Sequence, residues 1–219
     1  MELINIEQAK ITALGNYRFT HGNPFFLDLL SALATRYQFQ YLPDRSPDPL
    51  GEAGAVHFRV GRWMDIQVDQ LSVYNDGYIV SAKCNSRILD ALIDDIHDFI
   101  ESDFGILLAQ QPPPVRLYES QVVIQMDGDI EKALNLFNEL FKDMSDYSRT
   151  YLGVPGEYHF AGFHVSTDIV AHVAKKPPVF MLARRDGVDF SANYWWGNAG
   201  LRTDDHIAVL ERLEKRLLA

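Results

Sequence analysis

The order of predicted helices and strands is the same in the two halves of this chain, and this repeat constrains the fold more than any other feature. The pattern D-G-x-x-x-S-A occurs at Asp76–Ala82 and again at Asp186–Ala192, 110 positions later in a sequence of 219 residues. In both places a β-prone segment precedes the Asp-Gly pair, another follows it, and a capped amphipathic helix comes next. A duplicated α+β unit usually builds one continuous sheet around a pseudo-two-fold axis, so we expect that architecture here.

The first half is predicted to follow the order β-α-β-β-β-α. A strand is expected around Ile11–Thr20, and Asn23-Pro24 supplies the N-cap and the first residue of a helix. Leu71 interrupts the alternation of polar and apolar residues in the middle one of the next three strands. Ser86 is expected to cap a helix that ends at Gly105. The three strands before that helix are Val56–Val60, Asp65–Val73 and Tyr78–Ala82.

The second half repeats this order after a proline-rich linker at Gln111–Pro114, whose three prolines cannot continue a helix. It begins with a strand at Val115–Met126 and a helix capped by Asp129, and it ends with a helix capped by Thr203. The apolar residues expected on one face of the first of these helices are Ile130, Leu134, Phe137, Phe141 and Met144. The three strands between the helices are Tyr158–Val165, Val179–Arg184 and Phe190–Trp196.

The hairpins of this pattern predict an α+β fold, with a mostly antiparallel sheet, helices on one face and an internal duplication of the β-α-β-β-β-α unit. Residues 1–110 form the first half, residues 111–114 the linker, and residues 115–219 the second half. We expect the two halves to share one continuous globular domain.

Several features of the composition point to the cytoplasm. No stretch approaches the roughly 18 uninterrupted apolar residues of a membrane span. The first residues do not have the basic and then apolar segments of a secretory signal. Cys84 is the only cysteine, so an intramolecular disulfide is impossible, and the chain suits a reducing compartment.

The negative charge of the chain is concentrated in its middle third. The formal net charge is −10, and residues 86–157 carry 14 acidic and five basic side chains. Direct binding to nucleic acid requires the opposite sign, so the charge argues against it. A solvated surface explains the acidic segment, and a basic protein partner is the alternative.

The predicted helix after Ser86 carries most of the candidate contact residues. Asp94-Asp95-Ile96-His97-Asp98 matches D-D-x-x-D, the magnesium-diphosphate motif of isoprenoid synthases, but those enzymes are all-helical and this chain is rich in strands. We therefore expect no metal and no cofactor. A solvated face is favoured, and docking to a basic surface is the preferred function if this face has one. The acidic candidates for partner binding are Asp90, Asp94, Asp95, Asp98 and Glu101.

No catalytic residue can be assigned from the sequence. His164, Ser166 and Asp168 have the composition of a catalytic triad, but neighbours on one strand cannot supply its geometry. Glycine-rich phosphate loops and metal-binding spacings of histidine are absent from the sequence. The alternative to partner binding is a small-ligand or hydrolase site between the halves, formed by His164, Asp168, Arg184 and Arg185.

The segment Asn193–Asn198 is the densest aromatic cluster. On a strand, Trp195 and Trp196 point to opposite faces, so one of them should belong to the core. The other is either an interface anchor or is buried under a helix and a loop, and both readings remain open. The expectation for Arg184 and Arg185 is the same, with one side chain on each face of the sheet.

The chain resembles bacterial toxin-immunity proteins, which are often small cytoplasmic α+β proteins with an acidic face. Trp195-Trp196-Gly197 is similar to Trp-Gly elements of such families. The resemblance implies a non-enzymatic protein whose partner is a toxin domain, such as a nuclease with a basic substrate groove. Acidic helix faces of the immunity protein would then occupy that groove in place of phosphates.

Overall fold

The computed structural model describes residues 1–19, 26–41, 55–74, 76–109, 113–128, 130, 137–152, 157–166 and 179–219. The strands are β1 (Glu2–Leu14), β2 (Tyr17–Phe19), β3 (Ala55–Trp63), β4 (Ile66–Tyr74), β5 (Gly77–Ala82), β6 (Ile106–Leu108), β7 (Val115–Gln125), β8 (Gly162–Val165), β9 (Phe180–Arg184) and β10 (Tyr194–Ala199). The α-helices are α1 (Phe26–Arg36), α2 (Ser86–Phe104), α3 (Asn138–Tyr147) and α4 (Thr203–Leu217).

Eight of these strands form one antiparallel sheet in the order β3-β4-β5-β1-β7-β10-β9-β8, and β2 pairs with β6 in a separate ribbon. The order is symmetrical about its centre. In each half the first strand (β1 or β7) is central, and the strand that precedes the last helix (β5 or β10) lies beside it. This arrangement confirms the α+β class and the mostly antiparallel sheet, and the internal duplication remains a prediction.

The pairing of β1 with β7 joins the two halves. Ala9 lies opposite Ser120 in this pairing. The pairs on either side are Lys10 with Glu119 and Gln8 with Gln121. Position 10 on β1 corresponds to position 121 on β7, and position 119 on β7 corresponds to position 8 on β1, so exchanging the strands turns one flanking pair into the other. The two strands are therefore related by an approximate two-fold axis at Ala9 and Ser120.

Helices α2 and α4 pack on the same face of the sheet. The Tyr118 hydroxyl donates to the Asp90 carboxylate on α2, and Ser120 hydrogen-bonds to His206 on α4. Because residues two apart on a strand share a face, Tyr118 and Ser120 place both helices on one side. No helix in the described ranges is long and apolar enough to cross a bilayer.

The two D-G-x-x-x-S-A copies do not occupy equivalent positions, contrary to the expectation from sequence. Ser81 and Ala82 end β5, whereas Phe190–Ala192 forms a 3-10 turn ahead of β10. Each of β5 and β10 is followed after a short loop by a helix. The equivalent segments are therefore Ala82–Ser86 and Ala199–Thr203, which each lead from the last residue of a strand to the first residue of a helix.

The first residues of α2 and α4 cap each other across the two-fold axis. The Ser86 amide donates to the Thr203 hydroxyl at 3.0 Å, and the Thr203 amide donates to the Ser86 hydroxyl at 3.0 Å. Both residues are fully buried. The predicted caps are thus wrong, because neither hydroxyl serves its own helix. Asn85 is the N-cap of α2, and its side chain accepts a hydrogen bond from the Arg87 amide.

The Ser86→Ala variant should lower the free energy of unfolding by about 1–3 kcal/mol, because it leaves the buried Thr203 amide without an acceptor. Urea denaturation followed by circular dichroism measures the change. The control is Ser31→Ala, at an exposed site on α1, which should change stability by less than about 0.5 kcal/mol. Equal effects of the two substitutions would contradict a structural role for the reciprocal cap.

A bulge explains the broken alternation in β4. The register between β4 and β5 shifts between Val68 and Gln70. Val68 and Leu71 consequently face the same core, although they are three residues apart, and both are buried.

Gly105 ends α2 in the left-handed conformation, as predicted, with φ of 63°. Asn23-Pro24, Asp129 and the first two linker residues lie outside the described ranges.

His206 is a fully buried histidine on α4. Its Nδ1 lies 2.8 Å from the Ser120 hydroxyl, and its Nε2 has no hydrogen-bond partner in the described structure. A Cβ at Gly197 would lie 3.0 Å from Nε2, so glycine makes room for the ring. Burial lowers the pKa of His206 to about 4.

The stability of the chain should therefore fall between about pH 6.5 and pH 4, because the unfolded chain binds a proton at His206 that the folded chain does not. The expected loss from this residue is about 3 kcal/mol. Urea denaturation at about pH 7 and about pH 4.5 measures it. The His206→Asn variant should lose this part of the pH dependence. The control His164→Asn, at an exposed histidine, should retain it. An unchanged pH dependence in His206→Asn would contradict the assignment.

Candidate functional site

The acidic face of α2 is the first candidate surface. Leu89, Ile93 and Ile96 turn toward the sheet and are buried. The carboxylates expected from sequence lie on the other sides of the helix, but they do not share one environment. Two arginines from other elements neutralise part of the face, and only its C-terminal half remains open.

Arg116 on β7 binds two of these carboxylates. Its Nη1 donates to Asp90 at 2.7 Å, and its Nη2 donates to Asp94. The Tyr118 hydroxyl donates to the same Asp90 oxygen at 3.0 Å. Burial works to lower the pKa of Arg116, but the hydrogen bonds to Asp94 and Asp90 outweigh it and raise the pKa. These contacts hold α2 of the first half against β7 of the second.

Asp95 is held by two residues at the end of α1. Arg36 donates to both of its carboxylate oxygens, at 3.2 and 2.8 Å, and the Tyr37 hydroxyl donates at 2.7 Å. Burial works to raise the pKa of Asp95, but the bonds from Arg36 and Tyr37 outweigh it, so the pKa is lowered. The Arg36 guanidinium also lies 4.7 Å from the centre of the Phe99 ring. Asp95 therefore anchors α1 to α2.

Three exposed carboxylates remain on the outer side of α2, and we call Asp94, Asp98 and Glu101 the acidic line. They are spaced by four and three residues and therefore share one helix face. Asp98 and Glu101 have no ion pair within the part of the chain that the structure describes. This half of the predicted acidic surface is available to a partner.

The Asp95→Asn variant should lower the free energy of unfolding by about 1–3 kcal/mol, because its bonds to Arg36 and Tyr37 lose the charge of the acceptor. The stabilisation is fully present above 3.8, the ordinary pKa of this group, and is lost as the pH falls through the lowered value. Urea denaturation at neutral pH measures the change. The matched variant Asp98→Asn should cost less than about 0.5 kcal/mol. Similar losses in both variants would contradict the division of this face.

The second candidate region surrounds Arg184 on β9. The Arg184 guanidinium lies 4.3 Å from the centre of the Trp195 ring and 5.0 Å from that of Phe190. It donates to the Asn193 side chain at 3.0 Å, and the Trp195 indole donates to the same oxygen at 2.9 Å. Trp195 is fully buried, so it belongs to the core and not to a contact surface. Asn193 has φ of 56°, a left-handed conformation that asparagine tolerates.

The structure does not assemble the predicted ligand site. Asp168 lies outside the described residues, and His164 is exposed on β8, opposite Met181 of β9. Arg185 pairs with Glu7 on β1 at 2.7 Å, whereas Arg184 lies over the Trp195 ring, and the expectation that the two arginines face opposite sides of the sheet remains a prediction. It is His159 that shares a cavity of about 430 Å³ with Arg184. The sequence offered no signal for this cavity, because its wall comes from four separate segments.

Trp196 lies on the sheet face opposite Trp195, as predicted. It pairs with Val123 on β7 and with Ala183 on β9, and its side chain is half-buried. A half-buried tryptophan can contribute to a contact, but its cross-strand neighbours already cover much of it.

The third candidate surface is an apolar row along α3 that was not singled out from the sequence. Large apolar side chains recur every three or four residues along α3 and the π-helical turn Ser148–Leu152, and they are between 38% and 76% exposed. We call this set the α3 stripe: Phe137, Leu140, Met144, Tyr147 and Tyr151. Phe137 and Met144, which the sequence places on one face of this helix, are therefore both exposed. Ser145, on an adjacent side of the helix, is buried, and its hydroxyl accepts a hydrogen bond from the Tyr158 amide at 2.8 Å.

Acidic residues flank the α3 stripe. Glu139, Asp143 and Asp146 are exposed on the polar side of the helix. Asp146 accepts a hydrogen bond from Arg149 at 3.2 Å. An exposed apolar row beside carboxylates is suited to a partner that presents apolar side chains next to basic ones.

Neither metal chemistry nor similarity to known proteins adds a further site. Within the described ranges, no group of three His, Cys, Asp or Glu side chains is placed to hold a metal ion. No family model matches this sequence, and it has no significant match among curated proteins.

Proposed function

We propose that this chain is a non-enzymatic protein-binding protein that docks the α3 stripe on a partner. The observation that carries the proposal is the exposure of five large apolar side chains along one helix and its continuation. Large apolar patches on a protein surface mark interaction sites, whereas single exposed apolar residues need no explanation.

The stripe has the composition of an interface. Tyr147 and Tyr151 are stacked, with ring centres 5.9 Å apart, and both are more than half exposed. Tyrosine supplies a large contact area and a hydroxyl that can hydrogen-bond at the rim, which is why it is frequent among energetically dominant interface residues. Burying Leu140 and Met144 beside them would add apolar area without any unsatisfied polar group.

The negative charge of the chain favours a basic partner. The net charge is −10, and the acidic line on α2 and the carboxylates beside the α3 stripe are exposed. Such surfaces attract a basic protein and speed its association. Our more specific proposal is a cytoplasmic immunity protein whose partner is a basic toxin domain. An inhibitor of that kind needs no catalytic group of its own, because it acts by covering the partner's functional surface.

The double variant Leu140→Gln with Met144→Gln should abolish recovery of the partner, or weaken its binding at least about tenfold, because the apolar contact is lost. The tagged chain is used to isolate bound protein from its native host, and the isolated partner is then titrated against each variant. The matched control is Leu27→Gln with Met64→Gln, which makes the same changes at exposed sites on α1 and in the β3–β4 turn.

The control variant should bind the partner as the unmodified chain does. Equal binding by all three proteins would contradict the role of the α3 stripe. Thermal unfolding of each variant verifies that the fold is intact, which we expect because all four side chains are exposed.

The contribution of charge is tested separately with Asp98→Lys combined with Glu101→Lys. This change should slow association and reduce its dependence on salt, because these carboxylates lie on an exposed face. The measurement is the association rate at low and at physiological ionic strength. An unchanged rate at low salt would remove the acidic line from the proposed interface.

A further inference from the structure

A cavity between the two halves is separate from the α3 stripe and from the cavity beside Arg184. It has a volume of about 330 Å³. The first half contributes the end of β1, Tyr17 of β2, His97 of α2 and Leu108 of β6. The second half contributes the start of β7 and Arg202, which immediately precedes α4. A cavity of this size is at the lower end of the range for small-molecule sites.

One wall of the cavity is apolar. It is formed by Ala13, Leu14, Leu108, Pro114 and Val115. A ligand that fits this wall needs an aliphatic or aromatic body, since no polar side chain there could replace the water that a polar group would lose.

The polar side of the cavity includes two side chains that are in contact and uncharged, Tyr17 and His97. His97 Nε2 lies 3.2 Å from the Tyr17 hydroxyl. Burial lowers the pKa of His97, and the nearby Arg116 lowers it further, so the imidazole is uncharged at neutral pH. The two charged side chains that line the cavity are arginines. Arg116 already forms ion pairs with Asp90 and Asp94.

Arg202 is the cation that this arrangement leaves available. Its guanidinium lies 4.7 Å from the centre of the Tyr118 ring, and its Nη2 donates to the Tyr118 hydroxyl at 2.9 Å. In the part of the chain that the structure describes, no carboxylate forms an ion pair with it. A guanidinium has five N–H donors in a fixed plane, so stacking on Tyr118 orients the remaining donors for a planar anion.

We infer that this cavity binds a small monocarboxylate with an apolar body. The carboxylate pairs with Arg202 at the mouth, and the apolar body lies against the aliphatic wall between β1 and β7. Planar carboxylates match the geometry of arginine donors better than single-point acceptors do. The lining of this cavity and the α3 stripe have no residue in common, so the test of this site does not depend on the proposed protein partner.

The test is a titration of the full chain with small probes, followed by calorimetry and by two-dimensional NMR. The probes are 3-phenylpropionate and octanoate, their primary amides, and acetate and inorganic phosphate as anions without an apolar body. Each of the two larger carboxylates should bind at least about tenfold more tightly than its amide. The largest NMR shifts should occur at backbone amides that line the cavity, such as Leu14 and Val115.

The Arg202→Gln variant should reduce affinity for the carboxylates at least about tenfold and leave affinity for the amides unchanged. Arg202→Lys should recover part of the loss, because it restores the charge without the planar donors. Arg212→Gln, at an exposed arginine on α4, should behave as the unmodified chain.

Equal affinity for carboxylate and amide, or no binding of either, would overturn the inference. So would binding of acetate or phosphate as tight as that of the larger carboxylates, since the apolar wall would then have no role. Unchanged carboxylate affinity in Arg202→Gln would also overturn it.

Discussion

The antiparallel pairing of β1 with β7 is the interaction on which the rest of the structure depends. It aligns Ala9 with Ser120 and so fixes the axis about which the two halves are arranged. Helices α2 and α4 then start side by side, and the amides of Ser86 and Thr203 each donate to the hydroxyl of the other residue. A shift of the pairing by one residue would turn every inward side chain of β7 to the other face, and these contacts would be lost together.

The same pairing brings charged side chains of the two halves together in ion pairs. Arg116 on β7 reaches Asp90 and Asp94 on α2, and Arg185 reaches Glu7 on β1, so ion pairs cross between the halves. The less exposed of these carboxylates, Asp90 and Glu7, stabilise the domain and offer little to a partner, whereas Asp94 is paired but still exposed. What remains at the surface is the acidic line, the α3 stripe and its acidic flank. These exposed features, and not the acidic composition alone, support the proposal of protein binding.

Local patterns in the sequence were sufficient where an element is determined by its own residues. The extent of α2 up to Gly105, the strands β3 to β5 and the opposite orientations of Trp195 and Trp196 follow from spacing and turn residues. Elsewhere, β-bulges interrupt the alternation of polar and apolar residues from which strands are predicted. Register shifts after Leu3 and after Ile6 break the alternation in β1, so its first nine residues lack the period of a strand. The predicted caps failed because their partners lie 117 positions away. The exposure of the stripe on α3 could not be predicted, because helical periodicity shows which residues share a face, but not what that face contacts.

The most direct test of the proposed function is hydrogen–deuterium exchange of the free chain and of the complex isolated from the native host. Exchange reports on the amides that a partner shields or stabilises. Docking through the α3 stripe predicts that binding slows exchange across residues 137–152, with a smaller effect on the outer side of α2 and none on β3 and β4. Slowed exchange on other surfaces, with residues 137–152 unchanged, would contradict the account.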